Sequence, residues 1–131
     1  MGEITIIRLG DRILVPIQVE LHDRAARKLQ EEVLANLERT GASGLIIDVS
    51  AVDIVDSFLG RLLVETARMA RLLAAETVLV GMKKEVVMTI LQLGMPMEGV
   101  CTALNLEDAL ALLDRLETPA GEDTPGEEVK P

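Results

Sequence analysis

Gly44-Leu45-Ile46-Ile47-Asp48-Val49-Ser50, followed at once by Ala51-Val52-Asp53-Ile54-Val55-Asp56-Ser57-Phe58-Leu59-Gly60, is the stretch from which the fold can be read. Its apolar run from Leu45 to Val49 is too short for a helix and shows no polar alternation, the pattern of a strand buried on both faces of a sheet. From Ser57 to Leu73 the period changes. Leu59, Leu62, Leu63, Thr66, Ala67, Ala70 and Leu73 fall on one side of a helix, and Arg61, Glu65, Arg68 and Arg71 fall elsewhere. A buried strand feeding an amphipathic helix is the repeating unit of an α/β domain with parallel strands.

On the N-terminal side, Glu3 to Leu9 sets Ile4, Ile6 and Leu9 against Thr5 and Arg8, a rough strand alternation. Gly10-Asp11 turns the chain into a second strand, Arg12 to Gln18, so that the two form an antiparallel hairpin. Pro16 cannot donate a ladder hydrogen bond and points to an edge or a bulge. Between His22 and Thr40, Ala25, Leu29, Val33, Ala35 and Leu37 recur at helical spacing, and Gly41 ends that helix. On the C-terminal side, Thr77 to Gly81 reads as a buried strand and Lys84 to Leu93 as a short helix broken by Gly94-Met95-Pro96. Val100 to Thr102 is a last strand, and Asn105 caps a helix from Leu106 to Leu116 with Ala109, Leu110 and Leu113 on its apolar side.

The order is therefore ββαβαβαβα: an α/β domain over residues 1–117, with an N-terminal β-hairpin, a mixed but mostly parallel sheet and about four helices. Residues 118–131, rich in Pro, Gly, Glu and Thr, have no apolar periodicity and read as an acidic disordered tail.

Composition excludes several functions. With 131 residues and 14.2 kDa there is room for one domain able to fold without disulfides or metals. The chain is 49% hydrophobic with a mean hydropathy of +0.31, yet charges interrupt every apolar run well before the length of a membrane span. Against 13 basic residues stand 22 acidic ones, a formal charge of −9, which disfavours nucleic acid and anionic membrane as partners. Phe58 is the only aromatic residue, so no base-stacking platform is available. The N-terminus has no secretory-signal pattern and the only cysteine is Cys101, which fits a cytoplasmic setting.

The same counting removes most chemistry. One histidine, His22, and one thiol cannot build a Ser-His or Cys-His nucleophile, or a thiolate or imidazole metal site, within one chain. Gly41-Ala42-Ser43-Gly44 precedes a strand where a phosphate-binding loop would follow one. Asp48, Asp53 and Asp56 after the central strand could hold Mg²⁺ or accept a phosphoryl group, but the acidic pair that phosphoacceptor receivers carry after their first strand is missing. No catalytic residue, metal or cofactor is therefore expected, and the chain is not read as an enzyme.

Ser57 remains, at the mouth of a helix. Either Asp56 or Ser57 there can serve as an N-cap, and a phosphate on Ser57 would sit at the positive end of a helix dipole, beside Asp53 and Asp56. Phe58, next to it, can pack inward or meet a partner; Met95 and Met97 can line a docking loop or fill the core.

The strand Gly44 to Ser50, the motif Val55-Asp56-Ser57-Phe58-Leu59-Gly60 and the later Leu91-Gln92-Leu93-Gly94 resemble the STAS family, named for sulfate transporters and anti-sigma factor antagonists, from about Glu3 to Leu116. In the usual motif a second hydroxyl residue follows the Asp-Ser pair, whereas this chain has Phe58. With Leu14-Val15-Pro16-Ile17-Gln18 and Thr40-Gly41-Ala42, that departure is similar to stressosome scaffolds of the RsbS type.

The resemblance implies a non-enzymatic scaffold and phospho-switch that sequesters an RsbT-type serine kinase until stress releases it. It implies phosphorylation of Ser57 by that kinase, reversal by a PP2C-type phosphatase, and assembly with RsbR-type STAS paralogues and with itself. Asp53, Asp56 and Phe58 are candidate partner contacts by proximity. Two other functions stay open: a simple anti-sigma factor antagonist that binds an anti-sigma kinase, and a nucleotide- or small-ligand-sensing STAS domain.

Overall fold

Strand side chains alternate between the two faces of a sheet, and here that alternation divides the interior into two cores. In a computed structural model, residues 4–17, 22–94, 97 and 99–117 are described. The strands are β1 (Ile7–Leu9), β2 (Arg12–Pro16), β3 (Gly44–Asp48), β4 (Glu76–Val80) and β5 (Val100–Ala103). The helices are α1 (Asp23–Thr40), α2 (Ser57–Leu72), α3 (Lys84–Gln92) and α4 (Leu106–Glu117). The sheet order is β1-β2-β3-β4-β5, antiparallel for the first pair and parallel thereafter. This is the ββαβαβαβα architecture expected from the sequence.

Ile13 and Val15 of β2, Leu45 and Ile47 of β3 and Leu79 of β4 face one way, into a core closed by α1, α2 and α3. Leu14, Ile46, Val78 and Val80 face the other way, where α4 supplies Ala109 and Leu113. β3 has apolar residues in both cores, as its unbroken run of hydrophobic side chains requires.

Two sequence expectations change. Pro16 lies on an interior strand, not an edge. It is tolerated because β1 reaches only to the Ile7–Leu14 pair, leaving Pro16 without a β1 partner, while the pairing with β3 runs through Pro16–Asp48 and continues where Ile17 N–H donates to the Asp48 carbonyl at 2.9 Å. On α1 the buried stripe is Ala26, Leu29, Gln30, Val33 and Leu37; Ala25 is only half-buried and Ala35 is exposed. Gln18, Met95, Pro96 and the tail from 118 to 131 lie outside the described residues.

The end of α4 is clasped to the start of β2. Arg12 donates from Nη2 to Asp114 Oδ1 at 2.7 Å and to Glu117 Oε1 at 3.0 Å. Those hydrogen bonds, Asp114 first, raise the guanidinium pKa above its ordinary value.

Candidate functional site

In a parallel sheet with helical crossovers, each helix starts near the carboxyl ends of the strands, and that rim is where α/β domains place their sites. The residues singled out by sequence gather there. β3 ends at Asp48, whose Oδ1 accepts the Ser50 N–H at 2.9 Å and turns the chain. Val49, Val52 and Val55 then plug into the larger core, each at most 2% exposed, while Asp53, Ile54 and Asp56 point outward. A spacing of three through a loop thus fixes the approach to α2, a regularity that neither helical nor strand period reveals.

Asp56 is the N-cap of α2. It has φ −86° and ψ 177°, and its Oδ1 accepts the Leu59 N–H at 2.8 Å. Gly60 N–H bonds the Asp56 carbonyl at 3.0 Å. Of the alternatives Asp56 and Ser57, the capping role therefore goes to Asp56. Ser57 is the first helical residue, exposed, and its hydroxyl makes no hydrogen bond to a described residue. The first helical turn of α2 contains no acidic residue, so the positive end of the helix dipole is offset only by the Asp56 cap.

Asp53 pairs with Lys83, the residue before α3. The two loops also approach closely behind this pair. Gly81 has φ +79°, and a Cβ there would come within 2.7 Å of Ser50 Cβ. Sequence reasoning passed over Lys83, because only the pairing of β3 with β4 brings it beside Asp53.

On the other flank, Phe58 is half-buried against the larger core. The Arg27 guanidinium of α1 lies over its ring, 5.4 Å from the centroid. Asp23, Arg24, Arg27, Lys28, Glu31 and Phe58 line a groove between the first turns of α1 and α2. The surface around Ser57 is thus of mixed sign. The negative charge of Asp53 and Asp56 is offset by Lys83 on one side and bordered on the other by Arg24, Arg27 and Lys28, set among Asp23 and Glu31.

Asp48, Asp53 and Asp56 do not converge: each is engaged with its own partner, and among the described residues no three His, Cys, Asp or Glu side chains group as a metal site needs. No described helix is long and apolar enough to cross a membrane. Met97 is partly buried against the larger core.

Comparison with known proteins places this arrangement. The STAS domain model matches residues 3–109. RsbS of Moorella thermoacetica, solved as a serine-to-glutamate variant, superposes with a TM-score of 0.78 at 36% identity, covering 88% of this chain and 97% of that one. A chain from a structure of the stressosome, described as a signal integration and transduction hub, gives 0.74 at 39% identity over 86% and 97% of the two chains. The RsbT co-antagonist protein RsbRD of Bacillus subtilis is 31% identical over 75% of this chain. The match takes up only 35% of that relative, so the chain corresponds to about a third of its length.

Proposed function

Since the chain belongs to the STAS domain family, we propose that it is a non-enzymatic stressosome scaffold and phospho-switch of the RsbS kind, cytoplasmic, which binds and sequesters an RsbT-type serine kinase. Ser57 carries this reading. Its hydroxyl is exposed at the first position of α2 and is not needed for the cap, so modification leaves the helix start intact. The likeness to RsbS and to a stressosome chain over nearly the full length of both supports the assignment.

In the switch, the Ser57 oxygen attacks the γ-phosphorus of ATP held by the kinase, ADP leaves, and the hydroxyl proton passes to a base of the kinase. The product carries nearly two added negative charges at the rim that holds Asp53, Asp56, Phe58 and the exposed Ile54. A kinase docked on that rim is released, and a PP2C-type phosphatase resets the site. RsbR-type paralogues and further copies of this chain complete the scaffold.

Incubation with an RsbT-type kinase and ATP is expected to add one phosphate, mapped to Ser57 by mass spectrometry, and Ser57→Ala is expected to abolish it. Continued modification of the alanine variant would remove Ser57 from the assignment. Sedimentation with an RsbR-type partner is expected to give a particle far larger than a heterodimer.

A further inference from the structure

The added charge does not land on an empty surface. Arg24, Arg27 and Lys28 lie along one side of α1, in its first two turns, and with Asp23 and Glu31 they face Phe58 across the groove between α1 and α2. Lys28 pairs with Glu32 at 3.8 Å. Arg24 and Arg27 make no ion pair with a described residue, and Arg27 spends its guanidinium on the face of Phe58. In a chain of formal charge −9 the groove therefore sets three cations against the two carboxylates Asp23 and Glu31, with Arg24 free of any described partner and Arg27 held only by the ring.

α1 follows β2 and α2 follows β3, which are parallel neighbours, so both helices start from the same rim of the sheet. Ser57 immediately precedes Phe58. Adjacent Cα atoms are about 3.8 Å apart, so the Cα that carries a phosphate on Ser57 lies one residue's spacing from the Cα of Phe58, whose ring Arg27 covers. An exposed cation–π contact is weak. Hydrogen bonds from a guanidinium to a dianionic phosphate are among the strong ones and suit its planar fork.

We propose that a phosphoryl group on Ser57 is held in cis by Arg27, which leaves the Phe58 ring to reach it, with Arg24 adding to the field. One modification then does two things at the docking rim: it neutralises part of its own charge and bares an aromatic face that was capped before. The inference rests on the reading of Ser57 as a phosphoacceptor. Release of a partner follows from a remodelled Arg27–Phe58 surface, and not from repulsion alone.

The test uses the full chain with phosphoserine installed at position 57 during translation, which requires no kinase. Its outcome is therefore separable from whether a kinase recognises the site. Phe58 is the chain's only phenylalanine, and Trp and Tyr are absent, so its ring resonances are assignable by inspection. Phosphorylation is expected to move those resonances towards their positions in unphosphorylated Arg27→Ala. The second ionisation of the phosphate, ordinarily near about 6, is expected by ³¹P titration to lie lower by about half a pH unit or more, an effect of the nearby cation. Arg27→Ala should return it towards the ordinary value, and Arg27→Lys should fall between. Ring resonances unchanged on phosphorylation, or a phosphate titration identical with and without Arg27, would overturn the proposal. Arg27 is exposed, so neither substitution threatens the core.

Discussion

Asp56 and Ser57 are adjacent and both carry a capping oxygen, which is why the sequence alone leaves the cap between them. The backbone decides: Asp56 is extended and Ser57 already helical. Asp56→Ala is expected to lower stability by about 1 kcal/mol, read from the denaturation midpoint. Ser57→Ala is expected to change it by no more than about 0.5 kcal/mol. A large loss from Ser57→Ala would mean that the serine, not the aspartate, holds the helix start. Other parts of the site were not legible in this way. Lys83 lies 30 residues from Asp53 and Arg27 sits on a different helix from Phe58, so both contacts are products of strand pairing and helix packing.

At the scale of elements, α1 and α2 are joined by a polar contact inside an apolar seam. Gln30, 6% exposed, donates from Nε2 to Thr66 Oγ1 at 3.0 Å, and that hydroxyl in turn donates to the Leu62 carbonyl at 2.7 Å. Thr66→Val leaves the Gln30 amide without this acceptor and is expected to cost about 1–3 kcal/mol. The amide then keeps only its longer contact to Glu65 Oε1 at 3.5 Å, and adding Gln30→Leu removes the under-satisfied group, so the double variant should be less destabilised than the sum of the singles, as a denaturation cycle would measure. Additive losses would show that the pair is not coupled. Periodicity found both helices and the apolar side of α2 as far as Ala70, but Leu73, expected on that side, is the exposed C-cap, and on α1 it favoured Ala25 and Ala35 over Ala26 and Gln30. A glutamine reads as a surface residue until its partner on the neighbouring helix is known.

For the molecule as a whole, the two cores are unequal. Among the described helices α4 closes the second face, through Ala109 and Leu113, neither of them accessible to solvent. Leu113→Ala is expected to cost about 2–5 kcal/mol, a large share of the roughly 5–15 kcal/mol that holds a domain together, and to lower the thermal midpoint accordingly. A midpoint shift of less than a degree or so would mean that this face contributes little. The element order and the central place of β3 could be read from the sequence because each strand and helix carries its own period. The interior position of β2 could not, since Pro16 argues for an edge until the shortness of β1 is known. The clasp from Arg12 to Asp114 and Glu117 joins residues separated by 102 and 105 positions along the chain. On a ribosome adding about 5–20 residues per second, Arg12 therefore waits several seconds or more after its own synthesis before either carboxylate exists, and the β1–β2 hairpin can be fastened only by α4, the last of the described helices to emerge.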